Sequence, residues 1–140
     1  MYEYKCEVTR VVDGDTIDCI LDLGFSILHK CRVRLYGIDT PESRTRDLDE
    51  KARGKLASKF LEDSIKNGKE VILRSELKDS KGKYGRVLGS IVVDDLDINQ
   101  AMVEQNLAVK YFGQSKADVE AEHMLNRQKL IDSGAYVPDL

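Results

Sequence analysis

Polar side chains with no obvious structural purpose gather at three places in the chain. These are Asp13-Gly14-Asp15-Thr16, Arg34-Leu35-Tyr36-Gly37-Ile38-Asp39-Thr40-Pro41-Glu42, and Lys83-Tyr84-Gly85-Arg86. Together they supply carboxylates, two arginines and a tyrosine. Phosphodiester hydrolysis asks for that combination. The anionic phosphate repels a nucleophile, so a cation must screen it, and oxygen ligands select calcium or magnesium over zinc. A carboxylate beside the cation can take a proton from water. Guanidinium forks match phosphate oxygens in pairs.

Each segment alone has a plainer reading. Asp-Gly-Asp is an ordinary solvated hairpin turn, and Arg34 a surface charge on a strand. Asp-Thr-Pro-Glu can start a helix, with Asp39 or Thr40 as cap and Pro41 at the first position. Tyr84-Gly85-Arg86 can be a turn entering a strand. The ordered set of three is more specific than any member.

The elements that must position these residues follow from periodicity. Tyr4, Cys6 and Val8 alternate with Lys5, Glu7 and Thr9, a strand pattern that leads through Val11 and Val12 to the Asp13-Gly14-Asp15 turn. A second strand is expected over 16–22 and a third over 31–36, where Val33 and Leu35 face one way and Arg32 and Arg34 the other. Residues 24–30 read as the long end of a hairpin, and 42–50 as a polar surface loop. A helix is expected from about Gly54, or a few residues earlier, to Lys66, with Ala57, Phe60, Leu61 and Ile65 as its apolar stripe and Asn67-Gly68 as its stop. Strands over 71–77 and 86–94 follow, the latter with Val87, Ile91 and Val93 inward. Helices are expected over 98–106 and 115–133. The last has Ser115 as cap, Gly134 as stop, and Ala117, Ala121, Met124 and Ile131 as its apolar face. Five short strands with a helix inserted after the third fit a closed five-stranded barrel of OB type, packed round by three α-helices.

The 140 residues suit one domain, 1–140, large enough to bury a core without disulfides or structural metal. An apolar fraction of 41% argues against disorder. Net charge is −3, which runs against the basic balance usual in nucleic-acid binders, so any such partner depends on local arrangement or on a bound cation. Cys6, Cys19 and Cys31 are odd in number and form no CxxC pair, which points to reduced thiols in a reducing compartment, with Cys19 in the core. His29 and His123 are far apart and lack ligand-like company. No stretch is apolar and long enough to cross a membrane, and the first residues show no signal-peptide pattern. A cytoplasmic monomer is the expectation, with secretion open if a leader was removed.

The three strings resemble the staphylococcal-nuclease family: Val12-Asp13-Gly14-Asp15-Thr16, then Val33 through Glu42, then Lys83-Tyr84-Gly85-Arg86. Ile98-Asn99-Gln100-Ala101-Met102-Val103 and Leu107-Ala108 also fit, so the likeness covers most of the chain; the middle string is closest to small phage and bacterial members. The resemblance implies a calcium-dependent, sugar-nonspecific nuclease acting on DNA and RNA, single strands before duplex. It implies Asp15 and Asp39 as calcium-binding carboxylates, completed by the Thr40 carbonyl. Glu42 would be general base or orient the water. Arg34 would bind the scissile phosphate and Arg86 share that task. Tyr84 would touch a terminal phosphate, Lys83 would contact phosphate, Tyr111 would stack on a base, and Asp13 would stand behind the ligands. Attack by water would leave a 3′-phosphate and a 5′-hydroxyl. Two departures stand out: a longer hairpin between Asp15 and Arg34, and the acidic net charge. The alternative is a noncatalytic nucleic-acid-binding barrel, which would not need Asp15, Arg34, Asp39, Glu42 and Arg86 together.

Overall fold

A computed structural model describes residues 2–76 and 87–138. In chain order its elements are β1 (Glu3–Asp13), β2 (Thr16–Asp22), β3 (Leu28–Leu35), β4 (Ile38–Asp39), α1 (Leu48–Asn67), β5 (Val71–Ser75), β6 (Val87–Val93), β7 (Leu96–Asp97), α2 (Ile98–Glu104), β8 (Val109–Lys110) and α3 (Lys116–Ser133). The five long strands close a barrel. β3-β2-β1-β5-β6 pair as antiparallel neighbours, and a parallel pairing of β3 with β6, Val33 opposite Val87, joins the ends. Closure removes the sheet edges.

Alternation puts Ile17, Cys19 and Leu21 of β2 and Val33 and Leu35 of β3 inside. Leu73 and Ile91 meet them from β5 and β6, and Ala57 and Leu61 of α1 with Ile98 and Met102 of α2 complete the core. Full burial of each large aliphatic contributes roughly 1.5–3 kcal/mol. The three cysteines are free thiols. Contact with Cys6 and burial push the Cys19 thiol up, and burial with Cys19 close by pushes Cys31 up to about 12. Cys19 and Cys31 are packing groups rather than nucleophiles. Among the described residues no helix is long and apolar enough to cross a membrane.

Three sequence expectations need correction. β3 begins at Leu28 rather than 31, because Leu28, His29 and Lys30 pair with Asp22, Leu21 and Ile20 while exposed on both faces, so they leave no alternation to read. α1 begins at Leu48, inside the expected polar loop. Asp47 caps it by accepting from the Asp49 and Glu50 amides, and Leu48 is exposed, so no apolar stripe announces the first turn. This also removes the helix-start reading of Asp39-Thr40-Pro41. On α3 the buried face is Val119, His123 and Leu130, while Ala117, Ala121 and Met124 face outward and Ile131 is half-buried. The inward stripe is partly polar, which misleads a reading by hydrophobicity alone.

Candidate active site

The Asp13-Gly14-Asp15-Thr16 turn is not a solvated hairpin. A Cβ at Gly14 would stand 2.8 Å from Ala57 Cβ and 3.0 Å from Thr40 Oγ1, so only glycine lets the turn pack between α1 and the Thr40 segment. Asp15 is buried there. Thr16 Oγ1 donates to its Oδ1 at 3.0 Å, and the Thr40 amide donates to its Oδ2 at 3.2 Å. Asp13 accepts from the Ser43 amide at 3.1 Å and from the Ser43 hydroxyl, fixing the chain just beyond Glu42.

At the end of β3 the chain turns at Gly37, φ 79°, a left-handed conformation suited to glycine. It then enters β4, where Ile38 and Asp39 pair with Lys110 and Val109 of β8. Buried Asn99 of α2 holds the same corner by donating to the Tyr36 carbonyl at 2.9 Å. The result is a convergence. Arg34 Nη2 lies 3.4 Å from Asp15 Oδ2 and 3.5 Å from Asp39 Oδ1, and Arg34 Nη1 donates to the Leu35 carbonyl at 3.0 Å. Glu42 is exposed on the same rim. Its amide donates to Glu50 Oε2 at 3.1 Å, and its carboxylate has no hydrogen-bond partner among the described residues.

Arg34, Asp39, Thr40, Glu42 and Tyr111 line an open cavity of about 960 Å³, with buried Asp15 behind Arg34. Tyr111 is held there by its amide, which donates to the Gly37 carbonyl at 2.8 Å, and its neighbour Phe112 is exposed. The structure therefore brings Asp15, Arg34, Asp39, Thr40 and Glu42 together, with Tyr111 at the margin. Lys83, Tyr84 and Arg86 lie outside the described residues.

One site residue escaped sequence reasoning. His123, read as lacking ligand-like company, is buried on the inner face of α3 with Nε2 2.8 Å from Asp39 Oδ2. The helical stripe Val119-His123-Leu130 was the available signal. Glu50 and, on α3, Lys116 and Glu120 also line the cavity.

A family profile described as staphylococcal nuclease homologue matches residues 32–131. The chain belongs to the staphylococcal nuclease family. It is 35% identical over 118 residues to Endonuclease YhcR of Bacillus subtilis (strain 168), a match covering 79% of this chain and 9% of that protein. It is 36% identical over 120 residues to Protein ParB of Escherichia coli, covering 78% and 58% respectively. It is 37% identical over 101 residues to Thermonuclease of Staphylococcus intermedius, covering 72% and 56%. The matches thus span less than two thirds of the length of each of these relatives.

The span matched by the nuclease-family profile takes in Arg34, Asp39, Thr40 and Glu42 but starts after Asp15, so the geometry supplies Asp15 independently. The donor set can be tested against a hard divalent cation. Asp15 Oδ2 and Asp39 Oδ1 both reach the same positive nitrogen of Arg34, which marks the space between them as one that attracts a cation. Asp15, Asp39 and the Thr40 backbone offer oxygen alone, without thiolate. That set fits calcium or magnesium. Glu42, Glu50 and Glu120 add negative charge to the same cavity against Arg34 and Lys116, so the described lining favours a cation over an anion.

Proposed function

We propose that this chain is a calcium-dependent, sugar-nonspecific nuclease that hydrolyses phosphodiester bonds in DNA and RNA, acting as a monomer and preferring single strands. The observation that carries the reading is the convergence of Asp15 and Asp39 on one Arg34 nitrogen, at 3.4 and 3.5 Å, beside an exposed Glu42. A merely binding barrel has no need of two acids directed at one point. Relatives named endonuclease and thermonuclease support the same reading.

Asp15 and Asp39, with the Thr40 carbonyl, hold the cation. When bound, it would offset the negative charge of the phosphate so that a nucleophile can approach, and would stabilise charge growing on the phosphate oxygens. Arg34, anchored by its bond to the Leu35 carbonyl, turns its guanidinium to the phosphate and meets the same charge with fixed donors. Glu42, with an unengaged carboxylate on the rim, accepts a proton from water as its oxygen attacks phosphorus. The bond from phosphorus to the 5′-oxygen breaks, leaving a 3′-phosphate and, after protonation, a 5′-hydroxyl. Arg86 shares the phosphate with Arg34, Lys83 and Tyr84 contact flanking phosphate, and Tyr111 stacks on a base. Asp13 keeps the Glu42 segment in place through Ser43.

The test is cleavage of single- and double-stranded DNA and RNA with calcium and with EDTA, with product ends mapped. Calcium-restored cleavage to 3′-phosphate ends is expected. Cleavage that survives EDTA, or that leaves 5′-phosphates, would overturn the assignment.

A further inference from the structure

We infer that His123 is a positioning residue for Asp39, holding one carboxylate oxygen so that the other is presented to the cation; the inference rests on the proposed calcium-dependent function. The two oxygens of Asp39 have different neighbours. Oδ2 is 2.8 Å from the His123 ring nitrogen Nε2, and Oδ1 faces the space shared with Asp15, 3.5 Å from Arg34 Nη2. Rotation of a carboxylate about its last torsion is soft, so an aspartate held on one side only would sample orientations that point both oxygens away from Asp15. The ring removes that freedom.

The ring is itself held. His123 is 6% exposed, and its helix is pinned one turn further along: Asn126 Nδ2 donates to the Ala108 carbonyl at 3.1 Å and Arg127 Nε to Asp49 Oδ2 at 3.0 Å. Three polar residues on one face of α3 thus fasten it to the β8 approach, to α1 and to the site. Asp39 is in turn fastened through β4 to β8, the strand just before α3. The ligand carboxylate is therefore positioned from its backbone side by β8 and from its side-chain end by α3. Hydrogen-bonded partners of this kind commonly change metal affinity 10–100-fold when removed.

The plain alternative is that His123 only fills space beneath α3. Calcium titration by calorimetry, without nucleic acid, separates the two, with stability in EDTA measured alongside. H123L should keep the fold and the EDTA melting temperature yet bind calcium roughly 10-fold or more weakly. H123Q should restore affinity to within about 3-fold, because its amide nitrogen can reach where Nε2 stands. In cleavage assays the calcium activation curve of H123L should shift to higher concentration, while kcat at saturating calcium and KM for the nucleic acid change little. Should H123L unfold, H123N carries the same comparison with H123Q, its amide being too short to reach Asp39. Equal calcium affinity in H123L and wild type, or no recovery in a folded H123Q, would overturn the inference. Wild type that binds no calcium would overturn the proposed function first, and the inference with it.

Discussion

Asp49 in the first turn of α1 accepts a hydrogen bond from the Tyr136 hydroxyl at 2.5 Å, although 87 positions separate the two residues. The same carboxylate takes Arg53 from its own helix and Arg127 from α3, each at 3.0 Å. This cluster fastens α3 and the segment after it to α1. Burial would raise the Asp49 pKa, but hydrogen bonds from Arg127, Tyr136 and Arg53 outweigh it and bring it to about 2, against 3.8 for the free group. A carboxylate depressed in the folded state stabilises above its unfolded pKa and loses that contribution as pH falls towards the folded value. The Asp49 contribution is thus expected to fade between about pH 4 and 2. It should be on the order of 1 kcal/mol once solvent screening of a partly exposed group is allowed for.

Asp49→Asn should therefore flatten that part of the stability curve. It should also cost about 2 kcal/mol at neutral pH, because buried Arg53 loses its ionic partner. Denaturant melts of both proteins from pH 2 to 7 measure this; parallel curves would remove Asp49 from the account.

Glu42 offers a cleaner separation of catalysis from folding. Its carboxylate is exposed and unpartnered among the described residues. Glu42→Gln should leave stability within about 0.5 kcal/mol and lower kcat roughly 10²-fold or more. Near-normal turnover would return Glu42 to the status of a surface acid.

Arg34 should behave differently, because it stands between the acids. Arg34→Ala removes a positive charge 3.4 Å from Asp15 and 3.5 Å from Asp39, so a cation meets less competition there. Turnover should fall roughly 10²-fold or more while calcium affinity stays the same or rises. Joint loss of both would show that Arg34 builds the cation site instead of acting on the phosphate.

The barrel was legible because its strands alternate. Ile17, Cys19 and Leu21, and Val33 against Arg34, declare their faces in the sequence, and the first two polar strings fall where β1 and β3 end. What was hidden is non-local or polar. The pairing of Ile38 with Lys110 uses backbone bonds that no side-chain pattern records. α3 docks through His123, Asn126 and Arg127 as well as Val119 and Leu130, so its inward face is only partly hydrophobic. The start of α1 at Leu48 rests on the Asp47 cap, within a run of polar residues that also suits a loop. Nothing in the sequence shows that Gly54 touches the segment bearing Glu42.

That last contact yields the sharpest test of how the fold serves the site. Gly54 lies within α1, where alanine is intrinsically favoured over glycine by about 1 kcal/mol. A Cβ there, however, would stand 2.5 Å from the Glu42 carbonyl oxygen, 2.6 Å from its carbon and 2.7 Å from the Ser43 nitrogen. These are backbone atoms and cannot swing aside as a side-chain tip would. The strand of chain carrying Glu42 must lift off the helix, pulling against the Asp13 anchor at Ser43. Gly54→Ala is therefore expected to destabilise by about 1–3 kcal/mol despite its helix preference. It should also lower kcat at least roughly 10-fold through displacement of the carboxylate, with a smaller loss of calcium affinity, because Thr40 is two residues from Glu42 while Asp15 lies on the β1–β2 turn. Melting curves, calcium titration and single-turnover rates on the one variant measure all three. A G54A protein that is more stable and fully active would mean that the close approach of α1 to Glu42 does not hold the general base in place.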